Sequence, residues 1–383
     1  MPFEWLLIIH LVYNNTYMST NTLSIEDPIN QKLLVVAEDQ MTGFHPRPFS
    51  EIARRSGLTT QVVTTRLKEL LQGGVVRRIR QTLATGNLAA GALVAWKVPA
   101  DKMEAAFQWL WENDPFTGHV VIRQAQPGAI GSDYQLWTTV KVPRQYSVEN
   151  HCQLLGKHIH AQDVRLLPVI QMFALSVGHV RRQGLQPGAM TPQPAPPKQP
   201  VETNLTDQQW SLLAVLKRDL ALDEIDDDLW ARRAKQVNLS EEEFCKQIQL
   251  LADQGVIGRF SVFLEHSAPA QDGGRVTGAN GLLQWRVPDG MEITAGEQIG
   301  RFEILTHVYW RQGAQPLGNA NIYAVAHSSD REGVLAHKQA IDNHLKKMNI
   351  PVTYTSVFWG LRSRIRPSEL LPQEYDRWYQ SMH

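Results

Sequence analysis

Two short stretches hold the residues best suited to chemistry. Thr306 to Pro316 reads THVYWRQGAQP, and Gly118 to Pro127 reads GHVVIRQAQP. His119 and Arg123 are separated from His307 and Arg311 by the same interval, so the cluster occurs twice. On a strand, alternate side chains share a face. His307, Tyr309 and Arg311 are therefore expected together on one face, with Val308 and Trp310 on the other. In the earlier copy His119 and Arg123 keep the spacing, with Val121 between them. A guanidinium fork holds a carboxylate through two parallel bonds. An imidazole can titrate near neutrality, and a phenol can hand on a proton. The set suits holding anionic groups and delivering protons. Asn321 and His327, on the strand that follows, are candidates for the same pocket, whereas the first copy has Gln135 and Lys141 at those places. His119 and Arg123 would form a second pocket for binding. The competing reading is a polar strand edge that duplication has copied.

The elements that must position these strands also come in pairs. From Ser50, SEIARRSGLTTQVVTTRLKELL spaces apolar residues for two short helices about a turn at Gly57. From Asp228 the pattern returns, with Ser240 and Glu243 placed as an N-terminal capping box. Both read as helix-turn-helix or winged-helix units. After each comes a strand ending in proline, GALVAWKVP (91–99) and GLLQWRVP (281–288). In the first copy a helix follows, MEAAFQWLWENDP (103–115), and then come the His/Arg strand, an apolar strand, a helix and a last strand. The order β-α-β-β-α-β predicts a ferredoxin-like sheet with helices on one face. The fold class is thus α+β, in two tandem units that form an internal pseudo-dimer about a pseudo-twofold axis. The expected boundaries are an extension over 1–27, helix-turn-helix units over 28–82 and 205–262, and ferredoxin-like domains over 83–182 and 263–383. Between them lies a proline-rich, semi-rigid linker over 183–204.

Composition narrows the function. Lys+Arg and Asp+Glu are equal at 38 each, so bulk charge makes no case for nucleic acid. The two cysteines, Cys152 and Cys245, stand far apart with no CxxC, which argues against a cysteine-held metal site and fits a reducing compartment. No metal ligand set is assigned. Phe3 to Tyr13 is apolar but too short to span a bilayer, and it lacks the features of a signal peptide. No membrane partner is expected, and the location is read as cytoplasmic.

Several blocks, in order and twice over, resemble siroheme decarboxylases, within the Lrp/AsnC superfamily. The second half shows GVIGRF (255–260), GANGLLQWRVP (278–288), LTHVYWRQ (305–312) and NIYAVAH (321–327); the first half shows GVVRRI (74–79), GALVAWKVP, GHVVIRQ and QLWTTVK. The chain departs from the family at PLGNAN, where a proline-rich run would stand. The resemblance implies a fused two-unit enzyme that removes CO2 from the acetate side chains of siroheme. An iron tetrapyrrole would be its substrate, with no cofactor required. Arg311 would clamp a carboxylate, and His307 and Tyr309 would supply protons. His119, Arg123, Asn321 and His327 would bind substrate, with His327 also placed to meet the iron. Arg77, Arg78 and the run Arg362 to Arg366 could grip propionates or be solvated surface. Two other classes stay open: an Lrp/AsnC-type DNA-binding regulator, and a haem or siroheme sensor without catalysis. For DNA, Arg54, Arg55 and Thr59 to Arg66 make the first head plausible. Glu241, Glu242 and Glu243 set like charge against phosphate in the second. A further homo-oligomer is possible.

Overall fold

The computed structural model describes residues 22–199, 201–265 and 277–382. The apolar run Phe3 to Tyr13 lies outside the described residues. The first unit opens with α1 (Pro28–Ala37), α2 (Pro48–Ser56), α3 (Thr60–Gln72) and strand β1 (Val76–Leu83). Gly57 ends α2 in the left-handed region at φ 70°, which is the expected turn. The Thr59 hydroxyl caps α3 by accepting from the Val62 amide at 3.3 Å. A one-turn helix, α4 (Thr85–Leu88), leads into β2 (Ala89–Lys97), α5 (Met103–Asn113), β3 (Thr117–Ala125), β4 (Leu136–Pro143), α6 (Val148–His158) and β5 (Asp163–Leu175).

The second unit repeats the plan. It runs through α7 (Asp207–Leu216), α8 (Leu229–Lys235), α9 (Glu241–Asp253), β6 (Ile257–Leu264) and β7 (Ala279–Arg286). It continues with α10 (Glu292–Ile299), β8 (Leu305–Arg311), β9 (Ile322–Ser328), α11 (Arg331–Lys347) and β10 (Tyr354–Ile365), and closes with α12 (Pro372–Ser381). Ser240 caps α9, accepting from the Glu243 amide at 3.2 Å. The reciprocal arm of the expected capping box is not formed, because the Glu243 carboxylate accepts from Gln247 instead. The complete box sits one helix pair earlier, between Thr206 and Gln209.

Neither four-stranded sheet stays open. β5 pairs antiparallel with β8, and β10 pairs antiparallel with β3. The eight strands close into one barrel in the order β10-β3-β4-β2-β5-β8-β9-β7. The two sheets therefore join edge to edge, which satisfies the backbone groups that a free edge would leave unpaired. Corresponding strands stand four places apart in the circuit, so they occupy opposite walls. Leu93, Trp137 and Leu167 meet Leu282, Tyr323 and Phe358 inside the barrel. Outside it, separate apolar layers lie under the helices of each unit. The two helix-turn-helix units share a single core, and their strands β1 and β6 pair with each other.

The chain also crosses between units after each last strand. The proline-rich segment is pinned to the second unit by a bridge from Met190 to Phe302, and to β5 of the first unit by one from Lys198 to Met172. It comes so close that a Cβ on Gly300 would stand 2.6 Å from the Ala195 methyl. α12, in turn, docks on the first unit, where Trp378 donates to the Asn113 carbonyl at 2.6 Å.

The end of α1 ties the helical body to the barrel. The Asp39 carboxylate accepts from the Gly178 amide at 2.8 Å and from Ser176 and Arg181. Beside it, Glu38 is buried and accepts from the Val180 amide at 2.8 Å. Burial pushes the Glu38 carboxyl up to about 8. A raised folded-state value means that folding takes up a proton above the ordinary carboxylate range. The stability it contributes is full below pH 4.5 and is lost as pH rises through about 8. Glu38→Gln removes that titration. Its melting temperature relative to the parent is expected to climb by a few degrees between pH 5 and pH 9. Thermal scans across that range that gave a constant difference would contradict a buried, proton-binding Glu38.

Candidate active site

His307, Tyr309 and Arg311 do share a face of β8, and it is the inner face of the barrel wall. Register places His307 opposite Val325 and Tyr309 opposite Tyr323 on β9, and Tyr323 belongs to the interior apolar cluster. The Arg311 guanidinium carbon lies 4.6 Å from the centre of the Tyr309 ring, a cation–π contact. Arg311 Nη1 donates to the Leu167 carbonyl of β5 at 2.8 Å. On the opposite wall, Arg123 Nη1 donates to the Phe358 carbonyl of β10 at 3.2 Å. The two arginines are thus structural equivalents. Each caps the last strand of the other unit, next to the seam that joins the sheets. Both His/Arg strands face the same barrel interior from opposite sides.

The two walls differ in charge. Around His307 the fields of Arg259 (β6), Arg182, Arg311 and Lys141 (β4) converge. Lys141, Arg259 and Arg311 form no ion pair with a carboxylate among the described residues; the nearest acid to Arg182 is Asp39 at 3.6 Å. Burial first, and these cations second, push the His307 imidazole down to about 3. The expectation that it titrates near neutrality is therefore corrected for the free protein, where it is a neutral ring bonded through Nδ1 to the Thr306 hydroxyl at 2.9 Å. Burial raises Tyr309 and Tyr323, so both phenols keep their protons. The Tyr323 hydroxyl is buried and has no hydrogen-bond partner among the described residues.

The structure places other expected residues differently. Asn321 leaves the pocket: its amide accepts from Val287 N at 3.0 Å and donates to Val287 O at 3.0 Å and to Glu292. It locks the strand ends of β7 and β9. His327 lies edge-on to His179, with ring centres 5.1 Å apart. It is paired in register with Asn280, whose amide oxygen accepts from Arg123 at 3.2 Å. His327 thus stands in the row of the Arg123 wall. Arg362 pairs with Glu104 on the surface, and Arg366 donates to the Thr117 carbonyl, so neither is a free grip. Sequence reasoning misses Lys141, Arg182, Arg259 and Tyr323. The available signal for Arg259 is its place in the GVIGRF block, matching that of Arg78 in GVVRRI.

In the helix-turn-helix units several arginines are held in surface ion pairs. Arg54 and Arg55 both grip Glu51 and hold its carboxyl down to about 2. Arg47 pairs with Glu241 at the start of α9. No described helix is long and apolar enough to cross a membrane.

An AsnC-like ligand binding domain matches twice, over residues 88–174 and 277–356. The siroheme decarboxylase of Hydrogenobacter thermophilus is 24% identical over 344 residues, covering 88% of this chain and 93% of that protein. The siroheme decarboxylase NirH subunit of Paracoccus pantotrophus is 33% identical over 128 residues, 33% of this chain and 74% of that subunit. The chain belongs to the siroheme decarboxylase family. In fold, it superposes on the crystal structure of the siroheme decarboxylase NirDL in complex with an iron-uroporphyrin III analogue. The TM-score is 0.64 at 20% identity, over 92% of this chain and 98% of that one. Within the family frame, the cationic wall on β8 is the site to test first. In protein labelled with ¹⁵N-histidine, the His307 ring is expected to keep the nitrogen shifts of a neutral imidazole down to pH 5. A protonated pattern at pH 6 would show that the surrounding cations do not hold the ring neutral.

Proposed function

We propose that this chain is a siroheme decarboxylase, which removes CO2 without oxidation from acetate side chains of siroheme. The observation that carries this reading is a group of cations, the buried Arg311 with the half-buried Lys141 and Arg259, set beside an apolar barrel interior and in no ion pair with a carboxylate among the described residues. Such a site is unfavourable alone and favourable with a polyanion in place. A macrocycle edged with carboxylates supplies that charge. The iron belongs to the substrate. Among the described residues no three of His, Cys, Asp and Glu gather as a metal site.

In the reaction, the bond between the acetate methylene and its carboxylate breaks. CO2 leaves, and the electron pair stays on the methylene carbon, delocalised into the pyrrole. A proton then completes the methyl group. An apolar, water-poor wall favours release of neutral CO2 from a charged carboxylate. Arg311 and Arg259 hold the carboxylates that remain, by charge-assisted bonds. Tyr309, between His307 and Arg311, is the protonated donor available at neutral pH. His307 gains proton affinity once substrate carboxylates offset the surrounding cations, and it then reloads the phenol. His119 and Arg123 line the facing wall, where Val121 provides no phenol.

Incubation with siroheme without oxygen, followed by mass analysis, is expected to show loss of two CO2 per macrocycle. Tyr309→Phe and His307→Ala should each slow turnover by about 10²–10⁴-fold while leaving tetrapyrrole binding within a few-fold. Binding without CO2 loss by the parent would leave a carrier or sensor. Salt-dependent promoter binding with no tetrapyrrole spectrum would leave a regulator.

A further inference from the structure

The two walls of the barrel are built on one plan, and one row of residues breaks it. On the first-unit His/Arg strand, Arg123 finds two neutral acceptors, the Phe358 carbonyl and the amide oxygen of Asn280. On the second-unit strand, Arg311 keeps the equivalent carbonyl, Leu167. The position matching Asn280 is Gly91, by alignment of GLLQWRVP with GALVAWKVP on their tryptophans. Gly91 pairs in register with Lys141, as Asn280 does with His327. A Cβ at Gly91 would stand 3.0 Å from Lys141 Cγ and 2.7 Å from the Val140 carbonyl. The missing side chain therefore lets the lysine stem lie flat across the strand. The ammonium donates to the Thr85 hydroxyl; burial first, and the charge of Arg311 second, disfavour it. Where one wall offers its arginine an acceptor, the other offers a second cation.

We propose that Lys141, from the first unit, and Arg311, from the second, jointly bind one carboxylate of the substrate on the β8 side of the barrel. The proposal rests on the tetrapyrrole reading and adds to it a binding residue from the other half of the chain. Two cations that repel each other, the buried Arg311 and the half-buried Lys141, neither in an ion pair with an acid among the described residues, are reconciled by an anion that bonds to both. The lower proton affinity of Lys141, down to about 8, fits a site held without its counter-charge. Because Lys141 stands where the other wall has His327, and Gly91 where it has Asn280, the subsite exists on one wall only. The chain should then hold one macrocycle in one orientation.

The test uses the full chain and iron uroporphyrin III, followed by its absorption spectrum. Lys141→Gln is expected to weaken binding by about 10–100-fold, as loss of a hydrogen bond to a charged group does. It should also lower the slope of log affinity against log salt, and its melting temperature should stay near that of the parent. Lys141→Arg should restore most of the affinity, which a purely structural role through Thr85 would not predict. In the parent, affinity should fall as pH rises from 7 to 9, and this fall should vanish in Lys141→Gln. One macrocycle per chain is expected at saturation. Unchanged affinity in Lys141→Gln, or two equivalent macrocycles per chain, would overturn the proposal. Failure of the parent to bind any iron tetrapyrrole would instead overturn the functional reading on which it rests.

Discussion

The exchange of edge strands holds everything else in place. β5 of the first unit pairs with β8 of the second, and β10 of the second pairs with β3 of the first. Each ferredoxin-like sheet alone would expose two unpaired edges, and an unpaired buried backbone group costs about as much as a lost hydrogen bond. Closing the circuit removes all four edges at once. It also decides where the chemistry lies, because the exchanged partners β3 and β8 are the His/Arg strands. Arg123 and Arg311 stand at the seams and donate to carbonyls of the opposite unit. The residues that offer charge to a ligand are therefore also the ones that stitch the halves together. For this reason a change at Arg311 should be read with a stability control.

Around that ring the structure sorts charge by position. In the helical body several cations are matched: Arg54 and Arg55 with Glu51, Arg47 with Glu241, and Arg233 with Glu224. Beside β8, Lys141, Arg259 and Arg311 have no such match among the described residues. Proteins rarely bury cations without acids unless something else brings the negative charge.

Much of the fold is legible in the sequence because it depends on local periodicity. The alternation in GALVAWKVP, the proline after it and the turn at Gly57 fix strands and helices within a few residues of those observed. The face shared by His307, Tyr309 and Arg311 follows from strand geometry alone. Barrel closure does not follow, since nothing in β5 or β8 states which edge it will meet. Asn321 misleads for a similar reason. An asparagine in a run of conspicuous residues looks like a ligand, yet the backbone of β7 claims its amide. In sequence, Lys141 reads only as the loss of a histidine at the place of His327, because its meaning depends on Arg311, which is distant in the chain and on the other unit. α10 and α12 carry little sequence signal: α10 has only eight residues, and α12 follows the last repeated block.

The exchanged strands also bear on how the chain is made. During synthesis the first half emerges with β3 and β5 complete but with their eventual neighbours not yet translated. For that interval it carries two adhesive edges, the kind that join to other copies and aggregate. The proline-rich segment then acts as a tether. By keeping the second half close, it raises the local concentration of the correct partner above that of any stranger. Lengthening or cutting it should harm the yield of soluble protein well before it harms the finished fold.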